Sequence, residues 1–285
     1  MELPAIRYSL FATGGYFLNI HPTAVVHPKA ELADDVEVGP YSVVGEHVKI
    51  GRGTRLMAHV YMEGWTEVGE RCQFYPYASI GTPPQHLQYK GEPTKVVIGH
   101  DNIFREYVTV NRATVQGGGL TTIGNQNFLM AYTHVAHDCR LGNHIIMANA
   151  ATLAGHITVG DHAILGGLAG IHQYVRIGAY SMIGGCSAVG QDVPPFMRAA
   201  GGYRSRLYGL NSVGLRRHGF SHERIATLKR AYEVLFRSGH RVAEAVRLAK
   251  EEFRDSDDVL TVLAFMEGTK RGVCKSIGRE QEDEE

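Results

Sequence analysis

The chain has a single tryptophan, four cysteines among 285 residues and a formal net charge of zero. Each scarcity closes a class of function. Cys72, Cys139, Cys186 and Cys274 are far apart in sequence and form neither a CxxC metal motif nor a disulfide framework. A balanced charge gives no electrostatic case for nucleic acid. No apolar run approaches the roughly 20 residues of a membrane span, so no transmembrane segment is expected. Residues 1–19 carry Glu2 and Pro4, and Gly14 and Gly15 break their apolar stretch, which makes a poor signal peptide. We read them as a short N-terminal extension of a cytoplasmic protein.

Helical periodicity is also missing from the first two thirds of the chain, and a period of six stands in its place. An apolar residue returns at every sixth position from Ile20 through Val26, Leu32, Val38, Val44, Ile50, Leu56, Met62, Val68 and Phe74 to Ile80. A second run goes from Ile123 through Leu129, Val135, Leu141, Met147, Leu153, Val159, Leu165, Ile171, Ile177 and Ile183 to Val189. Two residues before these positions the side chain is small or apolar, as at Ala24, Ser42, Thr54, Ala78, Thr133, Ala151 and Ser187. In a strand, residues two apart share a face, so each hexad reads as one short strand with two inward side chains. Glycine often follows the apolar position (Gly39, Gly45, Gly51, Gly124, Gly142), which suits a chain that bends after each strand. A hexapeptide period marks a parallel β-helix whose stacked coils bury one continuous core. Cys72 and Cys139 fall on inward positions and read as small core residues.

Between Ile80 and Ile123 the register is disturbed twice, by the Pro-containing segment Thr82 to Thr94 and by the glycine run ending at Gly119. The second disturbance shifts the phase by one residue. Loops that interrupt a regular solenoid are where binding groups concentrate. After Pro194 and Pro195 the spacing becomes helical: Ile225, Leu228, Tyr232, Leu235 and Phe236 follow Ser221 as N-cap, with Gly239 as the stop. Arg241 to Phe253 and Asp257 to Met266 predict two further helices. We therefore divide the chain into residues 1–19, a β-helix at 20–193, and a helical domain at 194–285 that caps the β-helix and ends in an acidic tail. Residues 194–230 hold eight basic side chains against Glu223 alone, a surface for phosphates or an acidic protein, or a solvated helix face.

If three hexads make one coil, residues 18 apart stack. The hexads at Val135, Leu153 and Ile171 then lie on one side, and each is followed by a histidine: His137, His156 and His172. We expect these imidazoles along a single outer edge. They suit either a zinc site, as in gamma-type carbonic anhydrases, or a histidine general base, or merely hydrogen bonds at a subunit contact. Asp138 follows His137 directly, and strand neighbours point to opposite sides unless the chain turns between them.

The stretches GEPTKVVIG, NRATVQGGGLTTIG, THVAHDC, NAATLAGH, IHQYVRIGAY, IGGCSAVGQDVPP and GLRRHGFS resemble those of the UDP-N-acetylglucosamine O-acyltransferases, which begin lipid A synthesis. The resemblance runs from about Ile20 into the C-terminal helices. It implies a left-handed parallel β-helix, a homotrimer with active sites between subunits, and transfer of an R-3-hydroxyacyl chain from acyl carrier protein to the 3-hydroxyl of a UDP-sugar, with no metal or other cofactor. It implies His137 as general base, Asp138 as its orienting partner and the Gly155 N–H as oxyanion donor. It also implies His134, His156, Gln85, His172 and Gln173 as contacts to sugar or pantetheine, and Asn211, Arg216 and Arg217 as the nucleotide site. Gly185 matches the position that limits acyl length, and glycine there leaves room for a chain of roughly C12 to C14.

The sequence departs from the family pattern in places. Tyr203 stands at the neighbouring ruler position, where the family often has histidine. His86 and Gln88 replace an acidic residue and a lysine in the loop that meets the acceptor sugar, and Val213 replaces a polar nucleotide contact. These differences leave N-acylation of a 3-amino UDP-sugar analogue as an alternative, beside the related N-acyltransferase of the same pathway. From other classes come a zinc-dependent hydratase and a non-catalytic β-helix scaffold.

Overall fold

A computed structural model describes residues 20–202 and 204–277. The residues 1–19, Tyr203 and the acidic tail lie outside the described residues.

Two-residue strands, each separated by a short turn, wind into a left-handed parallel β-helix of triangular section. Every third strand pairs with its predecessor, as in His134↔Thr152 and Thr152↔Gly170, which makes three flat sheets of nine, eight and ten strands among the described residues. The first face contains Val25–Val26 and His134–Val135, the second Glu31–Leu32 and Arg140–Leu141, and the third Glu37–Val38 and Ile146–Met147. The sixfold residues point inward: Val44, Leu56, Met62, Phe74, Ile80, Leu129, Met147, Leu153 and Leu165 are all buried. Cys72 and Cys139 are fully buried beside them, as their phase predicts. Ile20 is exposed, because it opens the first coil and has none stacked before it.

Several of the glycines after the strands are required by close stacking and not by bending. The left-handed turn positions are taken by ordinary residues such as Tyr77, Asp138 and His156, with φ near +60° (66°, 63° and 62°). Gly51, in contrast, is required by close stacking: a Cβ there would lie 2.8 Å from the Gly69 carbonyl carbon of the next coil. The left-handed turns cost about 1 kcal/mol or more each. Stacked rings at the same corners offset part of this, as where Tyr77, Tyr107 and Tyr132 lie 4.9 and 4.8 Å apart between centroids.

Both disturbances of the register sit at one corner, between the first and second faces. The first joins Ser79–Thr82 to Lys95–Ile98, and the second joins Thr109–Asn111 to Leu120–Ile123. From Ile80 to Ile98 is 18 residues, a whole number of hexads, so the phase is kept. From Val110 to Ile123 is 13, which accounts for the one-residue shift.

Strand pairing continues past Pro194 and Pro195, although the sixfold spacing stops there as expected. Met197–Ala200 still pairs in parallel with Met182–Ile183, and Arg206–Leu210 adds an antiparallel strand beside it. Among the described residues four helices follow: α1 (Ser212–Arg217), α2 (His222–Phe236), α3 (Val242–Glu252) and α4 (Asp257–Glu267). Ser221 caps α2 by accepting from the Arg224 N–H. Helices α2, α3 and α4 match the three expected segments, whereas α1 is too short to display a period. Leu228, Tyr232, Val259 and Leu263 form a buried core continuous with the β-helix. Arg176 ties α4 to the last coil, bonding Asp192 at 2.9 Å and the Phe265 carbonyl at 2.6 Å.

Candidate active site

The corner that receives both inserted loops also carries the turns after His134–Val135 and Thr152–Leu153. At the first of these turns Asp138 adopts a φ of 63°, and the chain turns there from the first face to the second. Sequence neighbours that would diverge in a strand are thereby brought to the same side. His137 Nδ1 lies 2.8 Å from Asp138 Oδ2. Both are buried, the Asp138 side chain to 1% exposure.

Asp138 is fixed from below by the second loop. The Thr114 N–H donates to Oδ1 at 3.0 Å, the Thr114 hydroxyl donates to Oδ2 at 2.7 Å, and the Asp138 N–H donates to Thr121 Oγ1 at 2.8 Å. Burial pushes this carboxyl upward, but the bonds from His137 and Thr114 outweigh it and hold the group below the usual carboxylate range. Asp138 is therefore ionised at neutral pH and obliges His137 to carry its proton on Nδ1, leaving Nε2 as the basic nitrogen.

One coil further on, Gly155 stacks directly over His137. A Cβ at this position would lie 2.5 Å from His137 Cε1, so only glycine lets the ring take its place. The next residue, His156, meets the His137 ring edge-on at 5.2 Å between centroids, brings Nε2 to 3.6 Å from Asp138 Oδ2, and stacks on Tyr174 at 4.4 Å. Burial lowers the His156 pKa and outweighs the attraction of Asp138, so this imidazole is neutral at pH 7. His134, half-buried on the first face, lies 2.7 Å from the Thr109 hydroxyl, and its pKa too is lowered by burial and by His137. From the first loop His86 reaches the other side of His137, at 5.3 Å and 80° between ring planes. Gln85 and Gln88 are exposed on the same loop.

The expected edge of three histidines is not what forms. Stacking by 18 aligns His137 with Gly155 and Gln173, and Asp138 with His156 and Tyr174, because the histidines stand two, three and one residues beyond their strands. His172 is exposed and turns to the Gln173 carbonyl at 3.2 Å. The three-histidine zinc arrangement is thus not built. Donor atoms of His137, Asp138 and His156 do lie within 4.8 Å of one another, yet Asp138 already accepts from Thr114 and His137.

Other expected residues lie elsewhere in the same chain. Asn211 is the N-cap of α1: its Oδ1 accepts from the Gly214 N–H and its Nδ2 donates to the Tyr180 carbonyl at 3.0 Å. This docks α1, with exposed Arg216 and Arg217, at the corner between the second and third faces. Gly185 lies at the remaining corner, where a Cβ would come 3.3 Å from the Gly167 carbonyl. Neither group joins His137 within one chain. Sequence reasoning missed Thr109, Thr114 and Thr121. The signal for Thr114 was its place in NRATVQGGG, inside the loop that shifts the register.

Known proteins resemble this chain over most of its length. A family model described as UDP-N-acetylglucosamine O-acyltransferase, domain 2, matches residues 192–274. An acyl-[acyl-carrier-protein]–UDP-N-acetylglucosamine O-acyltransferase of Thermodesulfovibrio yellowstonii is 57% identical over 90% of this chain and 99% of its own. One of the same name from Syntrophobacter fumaroxidans is 47% identical over 90% of this chain and 100% of its own. The solved structure of LpxA from Acinetobacter baumannii superposes with a TM-score of 0.88 at 42% identity, covering 90% of this chain and 100% of that one.

This chain belongs to the UDP-N-acetylglucosamine O-acyltransferase family.

The likeness exceeds a shared hexapeptide repeat, since the matched segment 192–274 lies mostly beyond the sixfold register. The 2.8 Å contact between His137 and Asp138 is of the kind by which a carboxylate can orient an imidazole. A non-catalytic scaffold is set aside by the same comparisons. Among the described residues no helix is long and apolar enough to cross a membrane.

Proposed function

We propose that this chain transfers an R-3-hydroxyacyl group from the phosphopantetheine thioester of acyl carrier protein to the 3-hydroxyl of UDP-N-acetylglucosamine, the first step of lipid A synthesis. The observation that carries this reading is the buried His137–Asp138 pair lying against Gly155, in a chain of this family. His137 Nε2 takes the proton of the sugar hydroxyl as its oxygen attacks the thioester carbonyl. The carbonyl oxygen becomes an oxyanion beside the Gly155 N–H, which has no partner among the described residues; one such donor contributes about 3 to 4 kcal/mol. The tetrahedral intermediate then collapses, the C–S bond breaks, and the imidazolium returns its proton to the leaving thiolate. Asp138 stays charged throughout and stabilises the imidazolium, as in hydrolase triads.

His134, His156, Gln85, His86, Gln88, His172 and Gln173 surround this corner and are assigned to the sugar and the pantetheine arm. Asn211, Arg216 and Arg217 are assigned to the nucleotide, with the guanidinium groups on the diphosphate. Because these lie at a different corner from His137, the reading requires a second copy to complete each site, and a homotrimer meets that need. Gly185 is assigned to acyl length on the same reasoning. The reaction uses no cofactor beyond the acyl carrier and places the protein in the cytoplasm. Amide formation on a 3-amino sugar is not favoured, since the relatives bear the O-acyltransferase name. The test is the mass of the product from UDP-N-acetylglucosamine and 3-hydroxyacyl carriers of graded length. An unmodified nucleotide with every carrier would overturn the proposal.

A further inference from the structure

The loop that brings His86 to His137 is held to the β-helix by one short segment. Within the loop the bonds of residues 84–88 are local: the His86 N–H donates to the Pro84 carbonyl, and the Tyr89 N–H to the His86 carbonyl. Leu87 is fully exposed beside them, and of this stretch only Pro84 is buried. Anchorage comes from its two ends. Asn111 Nδ2 donates to Thr82 Oγ1 and to the Pro83 carbonyl at 2.9 and 3.0 Å, and the Arg112 N–H donates to the Thr82 carbonyl at 2.9 Å.

At the far end, Arg112 does the holding. Its guanidinium is buried between Trp65 and Tyr89, 5.9 and 6.0 Å from the ring centroids. Nη1 donates to the Gly81 carbonyl at 2.6 Å and Nη2 to the Tyr89 hydroxyl at 3.0 Å, and that hydroxyl donates to the Glu92 carbonyl at 2.8 Å. One fork therefore spans the loop from its entry to its exit, a geometry that a lysine cannot reproduce. The chain makes room for it: a Cβ at Gly64 would fall 2.0 Å from Arg112 Nη1. Two residues after Arg112, Thr114 grips Asp138. Residues 111–114 thus hold the carboxylate on one side of His137 and the His86 loop on the other.

We propose that Arg112 is a positioning residue of the acyl-transfer site, fixing the 83–92 loop so that His86 packs against His137 and confines its ring. This rests on the function proposed above, and it is tested with readouts that fail separately. Full-length Arg112→Lys, Tyr89→Phe, His86→Ala and the Arg112→Lys/His86→Ala double variant are compared for kcat and KM, melting temperature, and the rate at which diethyl pyrocarbonate modifies His137, followed by peptide mass. The expected result for Arg112→Lys is a fall of about tenfold in kcat/KM for the nucleotide sugar, with little change in KM for the acyl carrier. A several-fold faster modification of His137 accompanies it. His86→Ala shows the same pattern, and the double variant is no worse than the poorer single one, because both act through one contact. Tyr89→Phe, which removes one hydroxyl, gives a smaller loss of the same kind and serves if Arg112→Lys does not fold.

The proposal is overturned if folded Arg112→Lys, or Tyr89→Phe in its stead, keeps wild-type kcat/KM and His137 modification within twofold. It is equally overturned if the losses of Arg112→Lys and His86→Ala multiply. A wild-type protein without acyl transfer would refute the function alone, since the modification rates still decide the loop's attachment.

Discussion

Replacing Gly155 by alanine isolates the contact on which the site depends. Gly155 is not in the left-handed backbone region, so alanine introduces no conformational strain there. The added methyl would lie 2.5, 2.9 and 3.0 Å from Cε1, Nε2 and Nδ1 of His137. Ordinary carbon contacts are about 3.5 to 4.0 Å, so the ring must retreat by about 1 Å. Its backbone is pinned by the His156 N–H bond to the His137 carbonyl at 3.0 Å, which leaves rotation of the side chain. Rotation breaks the 2.8 Å contact with Asp138 and misplaces Nε2. A misplacement of about 1 Å costs about a hundredfold in rate, equivalent to about 2.7 kcal/mol of barrier. Steady-state transfer should therefore show kcat reduced about a hundredfold, while the melting temperature falls by only a few degrees. A folded Gly155→Ala protein with kcat within threefold of wild type would refute this geometry.

Three further outcomes follow from the same structure. His137→Ala should abolish transfer and leave a folded protein by circular dichroism; undiminished turnover would remove His137 from the role of base. Stability should fall in acid in two stages. The His134 and His156 pKa values are lowered by burial, so both rings are neutral in the folded chain, and stability is eroded as pH drops below about 6.5. Asp138, held below its ordinary value because its hydrogen bonds outweigh burial, contributes stability present above about pH 4 and lost as pH falls through its folded value. A melting temperature unchanged between pH 7.5 and 4.5 would contradict the first stage. Leu153→Ala removes a fully buried core side chain and should cost about 3 kcal/mol in denaturant unfolding; a loss below about 1 kcal/mol would mean that the coils repack.

Much of the solenoid was legible because the period of six is a backbone property that repeats without tertiary information. It placed Leu56, Met147 and Leu153 in the core, and it separated Cys72 and Cys139 from the outward histidines. The one-residue phase shift before Ile123 was readable as an insertion, although the sharing of one corner by both insertions needed the coils to be counted. The site was less legible where turns decide direction. His137 and Asp138 meet because Asp138 takes a left-handed conformation, which no residue type announces. His172 left the cluster because a difference of one or two residues after a strand rotates a side chain to another part of the turn. Thr114 and Arg112 went unnoticed since their partners, Asp138 and Tyr89, are 24 and 23 residues away in sequence. A glycine after a strand suggests a bend in the sequence, whereas at Gly51 it is the backbone of Gly69 in the next coil that demands it.

The central claim is that the His137 corner joins a hydroxyacyl group to the sugar of UDP-N-acetylglucosamine. The most direct measurement is high-resolution mass spectrometry of the nucleotide after incubation with purified protein and 3-hydroxyacyl carrier protein, with His137→Ala run in parallel. The predicted result is a nucleotide heavier by one 3-hydroxy acid less water, held through a base-labile ester and missing with His137→Ala. Recovery of the unmodified nucleotide with the wild-type protein, or equal acylation by the His137→Ala variant, would contradict the account.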